Sequence, residues 1–529
     1  MMTPDEQEEA LRPHFDAVFY LAQAPVLGRE IGRPLRHFLT EGWKQGRNPT
    51  RWFDVDFYLR MNLDVAESGV NPFLHYVLAG RREGRRPSRM LDAEQRQVRA
   101  ARAPSARAAE WGAVADRSAP RGIEALRARL EGAAEGIVVA CSHDDYFGNY
   151  GGVQKQIGIE EARVVAAGWR FLHVSPAAPL PVLAAAGVRD FRVSVRLDGD
   201  KLGVFLAGAL ADVLGAISAE GVRLEAVVHH VMGWAPEAVA LLVEATGARA
   251  IVWAHDFFTL CPSYALMRND VAFCGAPALG ANACAVCVYG ADRAAQSGRI
   301  AAMFERLRPF VLAPSGSAYA VWRRGGLAHA GHAVVPLGRL VFDQSTIARP
   351  AGARIRVAHL GARVLFKGWG VFERLAMNFS ADPRYAFYQL GVDGHAPRIG
   401  TIRHVPVQVD QATPDAMIDA VARHRIDLVV SWSVWPETFC FAAPEALAGG
   451  AALKTHPGAG NVPVLAGVAG AARAMVLADA AALHAAFDNG AAVLLANSPA
   501  RAYGAVMNSA GSADWLGIGG GMRREERAA

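Results

Sequence analysis

Two successive series of apolar strands alternating with helical segments constrain this chain more than any other feature in it. Residues 136–141, 169–174, 224–229, 250–254 and 310–312 are short apolar runs, and helical patterns such as 153–167 and 236–246 fall between them. The chain leaves that unit near Val334-Val335-Pro336-Leu337-Gly338. A second alternation then runs through 354–360, 386–391, 402–405, 428–432 and 451–455. Strands separated by helices build a parallel, doubly wound sheet. The pattern predicts an α/β fold of two Rossmann-like domains facing across a cleft. Ligands belong at the carboxyl ends of the strands that line it.

The remaining chain divides by pattern. Phe15, Tyr20, Pro34, His37, Gly42 and Pro49 recur 38 positions later as Phe53, Tyr58, Pro72, His75, Gly80 and Pro87. A period of that size marks a supersecondary unit that packs on its own copy. We therefore expect two tandem helical repeats over 1–90, each with a Pro-started helix and a Gly-Arg-x-Pro stop. The recurring histidines read as packing positions, since no second ligand type recurs beside them. Asp54-Val-Asp56 resembles a metal-binding DxD, but the first copy reads Asp16-Ala-Val, so the second aspartate is not part of the unit. Residues 91–133 are Ala/Arg-rich and read as a linker with helical stretches. The two α/β domains occupy 134–338 and 339–529, the second including the tail.

Bulk properties exclude several classes. The 529 residues carry 55 basic and 50 acidic side chains, net +5, too balanced for a nucleic-acid binder. The basic excess is local: Arg81, Arg82, Arg85, Arg86, Arg89, Arg96 and Arg99 crowd together. This reads first as a solvated helix or linker, and second as a patch drawn to an anionic membrane surface, at about 1 kcal/mol per basic side chain. The acidic start MMTPDEQEEA is not a secretory leader, and no apolar run approaches the ~18 residues of a span. A cytoplasmic protein, peripheral to the inner face of the membrane at most, is expected. Six cysteines in this length do not make a disulfide scaffold.

The chemistry-bearing residues sit at predicted strand ends. Glu437 lies in the loop after the 428–432 strand, and Glu445 follows Pro444 at the start of the next helix. Carboxylates there can accept hydrogen bonds from sugar hydroxyls. The amides of Thr438 and Phe439 and the helix start can face a phosphate. Lys367-Gly368 stands early in the second domain. Gly151-Gly152 opens the helix after the first strand, where missing side chains let backbone approach an anion. His255-Asp256 closes the 250–254 strand. His456, with Thr455, Gly458, Gly460 and Asn461, forms a Gly/Pro turn at another strand end, equally readable as a plain connection.

This set resembles the GT-B glycosyltransferases of family 4 over roughly 136–501, whose signature is two glutamates eight positions apart here. The resemblance implies that Glu437 lies by the donor sugar and Glu445 binds the nucleotide ribose. Lys367 would stabilise the diphosphate as a point charge. Gly151 and Gly152 would lie near donor phosphate and acceptor, and His255 would orient sugar hydroxyls near the reacting carbon. The arginine that many members carry five positions before the lysine is Ala362 here, with Arg363 displaced by one, which puts its phosphate role in doubt.

Cys261, Cys274, Cys284 and Cys287 follow the His-Asp loop as C-x12-C-x9-C-x2-C. The close pair is a common zinc half-site, and a four-thiolate structural zinc is expected, free loop thiols being the alternative. Cys141 and Cys440 read as core or cleft residues, and Asp198-Gly199-Asp200 as a turn.

The resemblance implies a retaining transferase that needs no catalytic cofactor beyond its nucleotide-sugar donor. Its acceptor would be a saccharide or lipid-linked saccharide, in cell-surface polysaccharide synthesis. The N-terminal repeats resemble tandem modules attached to such enzymes, with acceptor docking or a protein partner as their expected use. Rival readings are a nucleotide-sugar epimerase or hydrolase, and a non-catalytic scaffold.

Overall fold

The structure, a computed structural model, describes residues 2–23, 32–50, 52–83, 85–88, 93–112, 115–130, 135–148, 151–185, 187–349, 353–380, 382–392, 400–410, 412–490 and 500–520. The first sheet has eight strands: β1 (Ile137–Cys141), β2 (Arg170–Pro176), β3 (Arg192–Leu197), β4 (Asp200–Leu206), β5 (Leu224–Val228), β6 (Ile251–Trp253), β9 (Phe310–Ala313) and β10 (Gly331–Val334). A two-residue hairpin, β7 (Met267–Arg268) and β8 (Ala272–Phe273), stands apart from it. The order is β10-β9-β6-β5-β1-β2-β3-β4, parallel from β10 to β2 and antiparallel at the β2-β3 and β3-β4 pairs. The central strands are buried on both faces, and so they read as unbroken apolar runs.

After β11 (Gly338–Ala348), the second sheet is built from β12 (Ile355–Leu360), β13 (Tyr385–Leu390), β14 (Ile402–Val405), β15 (Leu428–Val430), β16 (Ala452–Thr455) and β17 (Ala474–Val476). Its order is β14-β13-β12-β15-β16-β17, parallel throughout. The chain returns along β18 (Ala500–Asn508), which pairs antiparallel with β11. Arg349 and Arg501 both reach Asp427 Oδ1, at 2.5 Å each, pinning this ribbon to the base of the second sheet.

The tail departs from the expectation that it stays with the second domain. The helix Ser512–Leu516 packs on the first: Trp253 Nε1 donates to Ser512 Oγ at 2.7 Å, and the Trp515 ring stacks on Phe310 at 5.0 Å. Trp515, Leu516 and Ile518 are apolar and bury themselves in the first domain's core. The edge hairpin β3–β4 is likewise absent from the sequence reading. Its turn is Asp198 (φ 50°) and Gly199 (φ 86°), the left-handed pair of a tight hairpin. Asp198 Oδ2 takes Arg170 Nε at 2.5 Å, so this DxD is structural.

The repeats form a helical module with one aromatic core. Asp16 and Asp54 cap equivalent helices through the amides of Phe19 and Phe57, both at 2.9 Å. The recurring histidines meet the recurring tyrosines: Tyr20 with His37 at 2.6 Å, Tyr58 with His75 at 2.9 Å. Gly42 and Gly80 recur because a Cβ on either would collide with the tyrosine hydroxyl of its own copy. Arg82 and Arg99 of the arginine cluster are exposed, as expected, but others are paired. Arg81 pairs with Asp488 at 3.0 Å, and Arg85 with Asp64 at 2.7 Å and Glu83 at 2.6 Å. Arg89 and the Arg96 side chain lie outside the described residues. Downstream, Leu126 and Leu130 enter the first domain's core. Among the described residues no helix is long and apolar enough to cross a membrane.

Candidate active site

The two sheets meet through the loops at the carboxyl ends of their strands, and the residues singled out from sequence gather there. After β12 the chain makes a short 3-10 turn, Leu365–Lys367, then Gly368 at φ 86°. A Cβ on Gly368 would collide with the Trp432 carbonyl, so the lysine–glycine pair lets this turn press against the end of β15. Lys367 Nζ thereby stands 2.8 Å from both carboxylate oxygens of Glu437.

Glu437 is 1% exposed and Lys367 37%. Ser433 Oγ donates to Glu437 Oε1 at 2.6 Å. Burial disfavours the Lys367 charge, but the Glu437 carboxylate overcomes this and holds the ammonium above the usual lysine value. The KTHPGAGN turn supports the same loop. Asn461 N donates to the Glu437 carbonyl at 2.9 Å, and Gly460, at φ 65°, has no room for a Cβ against the Glu437 backbone. His456 Nε2 donates to the Ser433 carbonyl at 2.8 Å and its Nδ1 accepts from Gly458 N at 3.2 Å, which fixes one neutral tautomer.

The rest of the loop is sewn to the first domain. Thr438 Oγ1 donates to the His255 carbonyl at 2.5 Å, and the Thr438 carbonyl accepts from Ser315 Oγ at 2.7 Å. Phe439 packs edge-on to Phe441 at 4.8 Å. Gly152 passes close under Phe441, where an added Cβ would lie 3.3 Å from its ring. Neither Gly151 nor Gly152 has positive φ, so these glycines serve close approach rather than a left-handed turn. Glu445, in the helix Ala442–Ala448, accepts from Lys155 Nζ at 3.2 Å across the seam. Burial raises its carboxyl above the usual range, and Lys155 opposes this only in part. Lys155 also stands 4.7 Å over the Phe441 ring.

His255 lies with its ring stacked on Trp253 at 4.8 Å and parallel to His229 at 5.4 Å, with Nε2 3.1 Å from His229 Nδ1. Burial, and then the neighbouring imidazoles His229, His230 and His143, hold it well below the usual imidazole value, so it is neutral. His230 Nδ1 accepts from Met232 N at 3.0 Å, which leaves Nε2–H to donate to Asp256 Oδ2 at 2.9 Å. Asp256 Oδ1 also accepts from Phe258 N at 2.9 Å, so this carboxylate is held from two sides.

Sequence reasoning missed His143, His229, His230 and Lys155. A signal was present: β1, β5 and β6 are each followed within two residues by histidine. The helix Gly152–Ala166 also buries Gln154, Lys155, Gln156 and Glu160, an unusual polar set for a buried face. Arg363 is buried and stands 5.9 Å over the Trp369 ring. The four clustered cysteines form no disulfide, and among the described residues no three His, Cys, Asp or Glu side chains already surround one metal-sized point.

No family model matches the chain. Nor does any curated protein match its sequence. Solved structures with a similar arrangement include HepE of Anabaena with UDP-glucose, at 12% identity over 67% of this chain and 89% of that one, TM-score 0.39. Sucrose-phosphate synthase of Thermosynechococcus elongatus matches at 13% identity over 67% and 89%, TM-score 0.40. A UDP-forming trehalose-phosphate synthase of Burkholderia xenovorans, with glucose-6-phosphate, matches at 10% over 68% and 93%, TM-score 0.39.

Proposed function

We propose that this chain is a glycosyltransferase moving a sugar from a nucleotide sugar to a saccharide or lipid-linked saccharide, with retained anomeric configuration, in cell-surface polysaccharide synthesis. The observation that supports this most is the Lys367–Glu437 contact at the mouth of the second sheet. A partly exposed lysine side chain whose ammonium is backed by a buried carboxylate suits the stabilisation of a departing diphosphate. In this reading Glu437 lies by the donor sugar and Lys367 meets the diphosphate. Glu445 takes ribose hydroxyls when Lys155 yields or shares it. The amides of Thr438 and Phe439 and the Gly151-Gly152 opening face phosphate. In this reading the held Asp256 carboxylate and its partner His230 form the acceptor wall, and His255 orients sugar hydroxyls beside them while its carbonyl holds the Thr438 loop.

A front-face route fits these residues. Glu437 is almost fully buried and held by Lys367 and Ser433, which suits a supporting role beside the donor sugar better than covalent attack on it. The sugar–diphosphate bond breaks as the acceptor oxygen bonds the same face of the sugar, and the acceptor proton passes to the departing diphosphate. Lys367 and the loop amides stabilise the charge that develops there, and domain closure excludes water.

A thermal-shift screen against UDP-, GDP- and other nucleotide sugars tests the donor site, since a bound ligand raises stability by mass action. NMR of products with and without a saccharide acceptor then tests the reaction. Sugar transferred with retained configuration is the expected result. An isomerised or hydrolysed donor identifies the rival enzymes, and no shift with any donor identifies a scaffold.

A further inference from the structure

The segment from Cys261 to Arg293 supplies no residue to the reaction proposed above, yet among the described residues it holds four of the seven non-glycine positions with left-handed backbone. Between Cys261 and Tyr289 the regular structure is the two-residue strands β7 and β8 and the four-residue helix Asn282–Ala285. Four non-glycine residues here, Leu266 (φ 52°), Asn269 (φ 50°), Asp270 (φ 62°) and Ala276 (φ 53°), adopt left-handed backbone. This costs roughly 1–2 kcal/mol each at Leu266 and Ala276, and less at Asn269 and Asp270. Long excursions with so little internal pairing are uncommon in compact domains and need something to hold them.

Four of the six cysteines are in this excursion, and all four line one cavity. They arrive from separate places: Cys261 after the His-Asp loop, Cys274 just past β8, Cys284 in the short helix and Cys287 in the turn after it. None is in a disulfide. Leu266, Met267, Ala276 and Ala283 close the walls with apolar surface. Arg293 anchors the arrangement from the next helix, donating to the carbonyls of Leu260 at 3.1 Å and Pro277 at 2.7 Å. Its third contact is Nη1 to Cys284 Sγ at 2.9 Å, the kind of N–H to sulfur hydrogen bond that supports a metal-bound thiolate.

We propose that Cys261, Cys274, Cys284 and Cys287 are the ligands of a structural four-thiolate metal site that staples this excursion. The four cysteines line the cavity, but no three of them yet surround one metal-sized point. Binding draws them together, replacing four S–H bonds with four metal–sulfur bonds and releasing the four protons. Two occupants share this chemistry: a tetrahedral zinc ion, and an iron–sulfur cluster, which spaces its thiolates more widely. The site shapes the first-domain wall beside Lys367, because Tyr264 inside the excursion meets Phe366 edge-on at 6.1 Å. It does not depend on the identity of the reaction.

The full-length chain, purified without oxygen, is assayed for zinc, iron and acid-labile sulfide and by visible absorption. One zinc per chain, colourless and without sulfide, is expected. Iron with matching sulfide and a visible charge-transfer band supports the same ligands and assigns the cluster. Cys287→Ser and Cys274→Ser should each lose the metal and lower Tm, whereas Cys141→Ala keeps it. Should those variants not fold, chelation of wild-type protein replaces them: metal loss should lower Tm, and added zinc should restore it with proton release. Neither metal in stoichiometric amount, or full metal content in Cys274→Ser, overturns the proposal.

Discussion

Lys367 Nζ lies 2.8 Å from each carboxylate oxygen of Glu437, although 70 positions separate them in sequence. The pair joins the turn after β12 to the loop after β15, neighbouring strands of the second sheet. Neither side chain has a packing role that an apolar residue could not fill better, since a buried ion pair contributes little net stability. We expect Lys367→Ala and Glu437→Ala each to reduce transfer by about 10²–10³-fold, the usual cost of removing a group that stabilises developing charge. Steady-state rates on folded variants check this. Wild-type turnover in Glu437→Ala would remove the residue from the reaction.

The same pair gives a pH dependence. The folded state holds the Lys367 ammonium above the ordinary lysine value of 10.5, the carboxylate outweighing burial. A raised folded value means the pair's contribution to stability is complete below 10.5 and disappears as pH climbs through the higher folded value. The stability difference between wild type and Lys367→Met should therefore be flat through neutral pH and shrink only in the alkaline range. Denaturant titrations at several pH values measure it. A difference that shrinks below pH 8 would contradict the assignment.

Glu445 makes a separate prediction, because its partner comes from the other domain. Its carboxyl is raised by burial, with Lys155 pulling the other way. Nucleotide binding that uses the carboxylate should begin to weaken at a higher pH than an ordinary glutamate would cause as pH falls. Glu445→Ala removes hydrogen bonds to a charged group, worth about 1.5–3 kcal/mol, or roughly 10–150-fold in Kd. The loss should fall on KM and nucleotide Kd and leave kcat largely intact. Calorimetric titration of wild type and variant across pH 4–8 decides it, and equal affinity in the variant removes the ribose assignment.

The alternating pattern made the strands legible because parallel strands covered on both sides must be continuously apolar. Residues 136–141, 224–229 and 402–405 differ from the observed β1, β5 and β14 by a residue at most. What stayed hidden depends on partners far away in sequence. The β3–β4 hairpin carries arginines and aspartates on an edge, and the β11–β18 ribbon pairs segments more than 150 residues apart. Trp515 reads as a stray aromatic until Phe310 is beneath it. Within the candidate site, Glu437 and Glu445 stood out by following a predicted strand, while Lys367 stood out only through the family resemblance; the structure brings Lys367 and Glu437 together. Lys155 was harder to see: the polar run Gln154-Lys155-Gln156 opens its helix, but the carboxylate it meets is 290 positions on.

The repeats supply the last prediction, and it concerns how the module is held. In the second copy Tyr58 OH meets His75 Nδ1 at 2.9 Å, and Gly80 passes so close that a Cβ there would strike the hydroxyl. Gly80 begins the segment that docks the module on the second domain: Arg81 pairs with Asp488 at 3.0 Å and lies 5.5 Å over the Phe379 ring, beside the Tyr76 hydroxyl on Asn378 at 3.2 Å. Tyr58→Phe removes one hydrogen bond and should destabilise the module by about 0.5–1.5 kcal/mol. Gly80→Ala should do more, because either Tyr58 or the docking segment must move. Hydrogen exchange should then accelerate at residues 76–83 and at the facing surface around 378–380, while Gly112→Ala, which meets open space, leaves both unchanged. Unaltered exchange in Gly80→Ala would mean that the tyrosine–glycine contact does not position the module, and that its recurrence in both copies has another cause.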